Sequence, residues 1–559
     1  MTVYGGSVQA GSLLERLPIG EVLHPLCDCT KTPVKPPMQF SEFMTAAQCD
    51  EVARCTGSDS PAAQPHVHPF TDTLYFNYDF GKGKNWPYQL MQNLNADMFS
   101  GYMHDYKPHN GGSSNSDYNL QDGWNGTDWG YTYAYIMPQI KKLEDSTRVA
   151  YPSVYAVTKI LKVEVMHRIS DIYGPVVYTH FANEEEEYCP DTQQEAYAAF
   201  FSDLAEAIEI LHKYVDNGNR GPDISDFDIL LDGDPRSWIR FANSLRMRLA
   251  VRIAMADPVK AKEEFMRSFR DRAGVFEQPS ECVKVSTRNG YQNPLGEINR
   301  VWGEVFMNAS MESILVGYGD PRIGVFFEPC MDDVLISDED GAYTTLELKG
   351  RYKGIRQGTC FSHLLYASHS KIHVNQTTEP ILMTAAEIWF LRAEAALRGW
   401  TVESPEVCYR NGVIASFYQW GIDGADDYLQ SDRVGADYVD VLDPANNIEA
   451  RCKVSPKWEE DASKEVKLEK ILTQKWLAVF PEGGEAWAEQ RRTGYPRLLP
   501  VRFNNSKDGC IDTEVMIRRL NFPADLADTD APLYEKLVNA FGKPDHAGSR
   551  LWWDTGRNF

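Results

Sequence analysis

The chain has 559 residues, 43 % hydrophobic and 24 % charged, a composition of folded globular proteins that excludes wholesale disorder. Asp and Glu number 80 against 56 Lys and Arg, a formal charge of −24. That field repels a phosphate backbone, so no nucleic-acid partner is expected, and the absence of any apolar run of roughly 18 residues excludes a spanning helix.

Residues 1–37 are punctuated by Gly and Pro and show no period. They read as an irregular segment, a linker or non-native sequence. Within them Leu13, Leu14, Leu17 and Ile19 are interrupted by Glu15, Arg16 and Glu21, unlike the apolar stretch of a signal peptide. The 11 cysteines are odd in number and lack zinc-site spacing, so free thiols are expected, with a Cys49–Cys55 disulfide left open. His66 and His68 flank a single residue beside Pro65 and Pro69 and read as a surface loop rather than a metal site.

The helical signals begin after a Gly-, Asn-, Ser- and Asp-rich stretch at 100–135. Pro152 to Tyr173 carries Val154, Val157, Leu161, Val165, Ile169 and Ile172 on one stripe and is stopped by Gly174 and Pro175. Thr192 and Glu195 have capping-box spacing, with Phe201, Leu204, Ile208 and Leu211 inward. Asp234 and Pro235 open a further helix, expected to end near Asp257, where Pro258 starts another. Glu184–Glu187 reads as a solvated loop. Residues 280–380 are irregular, with a strand-like run from Tyr343 to Leu348. Asp338 to Gly341 resembles the start of a calcium loop, but Lys349 occupies the position that needs a bidentate Glu.

Thr384 and Glu387 form a second capping-box pair, and Gly399 stands at the C-terminal stop. Ser404 and Pro405 then cap a helix running to about Trp420. Together the two helices approach the length of a tetratricopeptide unit, about 34 residues. Lys464 to Phe480, with Ile471, Leu472 and Trp476, is the next helix. The expected fold is mostly α: tetratricopeptide-like helix pairs supporting a looped, partly irregular ligand-binding half, with ligand loops near 100–135 and 280–380.

Catalytic motifs are scarce: no nucleophile elbow, zinc-protease helix or phosphate-binding loop occurs. Glu482, Glu485 and Glu489 invite a glycosidase reading, which needs two carboxyl groups across one bond. An ion-pair or helix-surface role with Arg491 and Arg492 fits them better. The aromatic loop is more informative. Tyr118, Trp124, Trp129, Tyr131, Tyr133 and Tyr135 alternate with Asn119, Asp122, Asn125 and Asp128. Flat rings beside amides and carboxylates suit a pyranose, stacked on its C–H face and hydrogen-bonded at its hydroxyls; they also suit a peptide. Tyr291, Asn293 and Trp302 form a weaker cluster of the same kind. The candidate ligand-binding residues are therefore Tyr118, Asp122, Trp124, Asn125, Asp128, Trp129, Tyr291, Asn293 and Trp302. No catalytic residue, metal or cofactor is expected.

Several segments resemble one family in the right order. They are Leu94 to Tyr102 (LNADMFSGY), Asp171 to Tyr178 (DIYGPVVY, with Val177 where Pro is usual) and Ala386 to Trp400 (AEIWFLRAEAALRGW). Gln474 to Trp476, Glu485 to Trp487, Arg491 to Pro496 and Leu551 to Asp554 (LWWD) follow. The chain resembles the SusD/RagB family of outer-membrane nutrient-binding lipoproteins, in its second SusD-like branch, over roughly residues 70–559. The resemblance implies a single helical domain at 38–559 and no catalysis. It also implies an N-terminal lipid on the extracellular face of the outer membrane, although Cys27 lacks the apolar context of a lipidation site. The implied partner is a SusC-like TonB-dependent transporter, to which a captured oligosaccharide is passed. Oligopeptide capture by the same lid is the alternative. A helical glycoside hydrolase or a protein-only repeat scaffold fits less well.

Overall fold

The computed structural model describes residues 85–105, 115–182, 189–218, 228–287, 292–337, 342–359 and 363–559. Tyr291, His66, His68, Cys27, Cys49, Cys55, Glu184–Glu187, Asp338–Gly341 and residues 1–37 lie outside this set. The longer helices are α1 (Met137–Thr147), α2 (Pro152–Tyr173), α3 (Gln193–Asp216), α4 (Pro235–Arg252), α5 (Pro258–Phe269), α6 (Ala309–Tyr318), α7 (Ala385–Leu397), α8 (Pro405–Gln419), α9 (Lys464–Ala478), α10 (Gly483–Thr493) and α11 (Ala531–Phe541). Among the described residues three two-stranded antiparallel sheets stitch the loops together. They pair β1 (Met103–His104) with β3 (Phe306–Met307), β2 (Cys282–Lys284) with β6 (Ile381–Thr384), and β4 (Val334–Ser337) with β5 (Tyr343–Leu346). The cysteines among the described residues are free thiols.

Caps set the helix boundaries. Thr192 accepts from the Glu195 amide while Glu195 returns to the Thr192 amide at 2.9 Å, a complete capping box at α3. Ser404 accepts from Val407 at the start of α8, and Pro405 fills its first turn. The box at α7 is only half made. Thr384 accepts from the Glu387 amide, but the Glu387 carboxylate bonds Arg248 on α4 instead of turning back. Helix α4 ends at Arg252, short of the expected Asp257.

The helices pack as consecutive pairs, α2 on α3, α4 on α5 and α7 on α8, with α9 against both α7 and α8. Their apolar stripes merge into one core. Where α4, α7, α9 and α10 meet, the centre is ionic. Arg248 pairs with Glu387, and Arg252 and Lys475 pair with Glu485 and Glu489. Arg492 bridges Glu394 and Glu489. A buried charge left without its partner is strongly destabilising, so these four helices are locked to one another. Burial alone would raise the Glu485 carboxyl, but Arg252, Lys475 and Arg248 overcome it and hold it at about 2.

Candidate functional site

The aromatic segment folds into consecutive helical turns, Asp122–Asn125, Thr127–Tyr131 and Thr132–Ile136, leading into α1. Helical spacing sorts its rings onto two faces. Trp129 and Tyr133, four apart, turn inward. Trp129 is 4 % exposed and packs edge-on against Tyr173 and Phe522. Tyr133 accepts from the Val177 amide at 2.8 Å and donates to the Val177 carbonyl at 3.2 Å. A proline at 177 would have no N–H to give, which fits Val here with this tyrosine.

Tyr131 and Tyr135, also four apart, turn outward. Tyr131 stands 5.2 Å from Tyr135 and meets Trp86 edge-on at 6.3 Å. Trp86 is 51 % exposed, on the short helix Asn85–Tyr88. The three rings form a solvent-facing row. Trp124 is half-buried and Asp122 exposed on the neighbouring turn.

The remaining candidates divide the same way. Tyr118 is buried against Phe99 with a left-handed backbone, φ 65°. Asn125 is buried, accepting from Asn115 Nδ2 at 2.9 Å while its carbonyl accepts from the Tyr173 hydroxyl. Asn293 is buried, caps the turn Pro294–Glu297 and donates to the Thr378 carbonyl at 2.9 Å. Tyr118, Asn125, Trp129 and Asn293 therefore serve the fold, because their rings and amides are spent on internal partners. Trp302 is half-buried against the core, beside the exposed Val301. Asp128 faces inward, across from Arg168. It is half-buried by surface because it lines a cavity, and burial pushes its carboxyl up to about 8 against the pull of Arg168.

The two candidate regions do come together. The segment 85–93 packs against the turns at 122–131 on one side and against Pro294–Glu297 on the other. Gln89 Nε2 reaches Glu304 Oε2 at 2.8 Å, just past Trp302. Among the described residues the π-helical turns are Gln89–Asn93, Thr132–Ile136 and Ile298–Trp302, one in each region and one in the bridge. Such turns are uncommon and gather at functional sites. A cavity of about 310 Å³ lies close by, lined by residues that include Lys284, Thr378, Glu379 and Trp420.

Tyr131 and Tyr135, like Trp86, stand outside the candidate list drawn from the sequence. The available signal was the spacing itself: 129 and 133 on one face, 131 and 135 on the other. The three carboxylates that suggested a hydrolase are buried and engaged. Glu482 caps α10 and pairs with Arg168 at 2.9 Å. Glu485 and Glu489 belong to the ionic centre, and Arg492 pairs with Glu489, whereas Arg491 bonds only backbone carbonyls. The helix-surface alternative for these glutamates does not hold, because the α10 face they occupy is turned into the core.

The paired helices define a class of fold, a mostly helical, tetratricopeptide-like scaffold with small sheets in its loops. The chain belongs to the SusD-like family of SusD and RagB outer membrane lipoproteins, whose family model matches residues 55–554. It is similar to the crystal structure of a SusD homolog from Bacteroides vulgatus, with 42 % identity, a TM-score of 0.81, and 88 % of this chain and 98 % of that one covered. It is similar also to a chitin-binding SusD homolog from Flavobacterium johnsoniae, with 37 % identity, a TM-score of 0.82, and 89 % and 100 % covered. A SusD-like protein from Bacteroides thetaiotaomicron follows at 30 % identity and TM-score 0.77, with 88 % and 99 % covered. A comparison with curated protein sequences finds no match. Among the described residues no helix is long and apolar enough to cross a membrane.

Proposed function

We propose that the protein is a non-catalytic capture protein that binds neutral, N-acetylated oligosaccharides along the row Trp86, Tyr131 and Tyr135. It passes them to a SusC-like TonB-dependent transporter on the extracellular face of the outer membrane, where an N-terminal lipid holds it. The exposed row carries this reading. Apolar rings left in water gain by stacking on the C–H face of a sugar, and Asp122 and Trp124 on the adjoining turn extend the contact. The chitin-binding neighbour at 37 % identity favours acetamido sugars. A retaining or inverting glycosidase needs one carboxylic acid kept protonated. Neither of the two glutamates on α10 that suggested a hydrolase can be that acid: Glu485 is held ionised, and Glu489 is pushed well below the usual carboxylate range, since burial opposes this but Arg492, Lys475 and Arg252 prevail.

The test titrates chito-oligosaccharides, cello-oligosaccharides and mixed peptides against tryptophan fluorescence, with product analysis alongside. A saturable shift with chito-oligosaccharides, without product and lost in Trp86→Ala/Tyr131→Ala, is expected. Hydrolysis of any glycan would overturn the non-catalytic part. Binding of peptides alone would replace the sugar, and binding untouched by the double substitution would remove the row from the site.

A further inference from the structure

Beside the ionic centre one arginine has no ion pair among the described residues. Arg491 on α10 is 1 % exposed and lies over Trp487, its guanidinium carbon 3.6 Å from the ring centre. Its Nε donates to the Trp487 carbonyl at 3.2 Å, and its Nη1 to the carbonyls of Asp171 at 2.6 Å and Arg518 at 2.9 Å. All three acceptors are neutral. Among the described residues no carboxylate forms an ion pair with Arg491, and its Nη2 has no protein acceptor. Arg248, Arg252 and Arg492 around it each hold a glutamate. Burial first, then Arg518 and Arg252, push the Arg491 guanidinium down to about 9 against the pull of Asp171.

Arg491 lines a cavity of about 50 Å³ shared with Arg168, Arg248, Asp128, Asp171 and Glu485. Arg248 is also 1 % exposed, and its Nη1 likewise has no protein acceptor. Two buried guanidinium groups on different helices thus line one small cavity, and each has a nitrogen without a protein acceptor. The carboxylates on its wall are already engaged. Asp171 accepts from Tyr197 at 2.5 Å and Trp553 at 2.8 Å through Oδ1 and pairs with Arg252 at 3.5 Å through Oδ2, and Glu485 accepts from Lys475 at 2.8 Å and from Arg252 at 2.5 Å. Asp128 is mostly protonated at neutral pH and adds an O–H rather than a charge. His167 on the same wall is pushed down by burial, Arg168 and Arg248, and stays neutral. A buried cation without a counter-charge is strongly unfavourable, and this volume holds one small ion or a water or two.

We propose that the cavity binds a monatomic anion, chloride in solution, held by Nη2 of Arg491 and Nη1 of Arg248. The ion completes the charge balance between α4 and α10 and is independent of whichever ligand the aromatic row takes. The test measures the melting temperature of the full chain in sodium chloride, sodium bromide and sodium gluconate at equal ionic strength. It also collects anomalous diffraction from crystals grown in bromide. Chloride and bromide are expected to raise melting by about 1–3 °C over gluconate, saturably, with an anomalous peak between the two arginines. Arg491→Gln is expected to lose the halide dependence while Trp86→Ala keeps it. Equal melting in all three salts, or a bromide-grown crystal with no peak in the cavity, would overturn the site. If Arg491→Gln does not fold, the bromide peak in the unsubstituted protein decides alone.

Discussion

Trp129 and Tyr131 stand two residues apart on one helical turn and face opposite ways. Trp129 is wedged between Tyr173 and Phe522, while Tyr131 meets the half-exposed Trp86 at the surface. Both come from one aromatic-rich segment, so composition cannot separate them. Period can, because a ring four residues on shares a face and a ring two residues on does not. The inward face closes the core over α2, and the outward face is left to solvent.

The sharpest way to break this comparison is to remove one ring from each face. Trp129→Ala is expected to cost about 3–5 kcal/mol of stability, because the cavity it leaves is lined by aromatic rings that cannot close it. Chemical denaturation reads this directly, and a loss below about 1 kcal/mol would mean the ring is not part of the core. Trp86→Ala with Tyr131→Ala should do the reverse. Stability is expected to stay within about 1 kcal/mol, since both rings already meet water. Affinity for chito-oligosaccharides should fall at least tenfold, about 1.4 kcal/mol or more. Calorimetric titration of the same preparation used for denaturation keeps the two effects apart.

The scaffold was legible where local chemistry writes it. Pro152, Thr192, Pro235, Pro258, Thr384 and Ser404 mark helix starts that the structure reproduces, because caps and first-turn prolines act within one turn of backbone. The half-made box at Thr384 was not legible. Glu387 is drawn off by Arg248, 139 residues away in sequence, and no local rule contains that competition. The site divides for a similar reason. Rings and amides announce a candidate segment, but whether Asn125 binds a ligand or Asn115 depends on how the loop closes. Trp86 gave no loop signal at all, since it stands in a short helix ahead of the aromatic segment.

A smaller effect follows from Asp128, which shares the turn with both rings but points toward Arg168. Its carboxyl ionises at about 8 in the fold against 3.8 ordinarily. Below about 4 it is protonated folded and unfolded alike. Between about 4 and 8 the unfolded chain releases the proton and the folded chain keeps it, so folding loses stability as pH rises through that window. Asp128→Asn removes this loss. Its stability should match the unsubstituted protein near pH 4 and exceed it by a growing margin as pH rises to 8. Glu485 acts in the opposite sense. Held at about 2, it contributes stability that is present above 4.5 and lost as pH falls toward 2. Acid unfolding in both proteins should therefore persist unchanged, while only the pH 4–8 slope differs. A variant with the same slope as the parent would show that Asp128 is ionised in the fold.

The smallest expected effect concerns Asp122, one turn away from Asp128 and exposed. The helical turn it opens has 4 residues, too short for a terminal charge to steady it through the helix dipole, so Asp122→Ala should leave stability within about 0.5 kcal/mol. Binding is a different matter. A solvated carboxylate on the turn next to the row can accept hydrogen bonds from sugar hydroxyls, but it gives up water to do so, and the net gain is small. Asp122→Ala is expected to weaken chito-oligosaccharide binding about two- to fivefold, with Asp122→Asn restoring part of it through its amide oxygen. Unchanged affinity in both would confine recognition to the rings. A loss as large as that of the Trp86 and Tyr131 pair would shift the centre of the site from the row to the neighbouring turn.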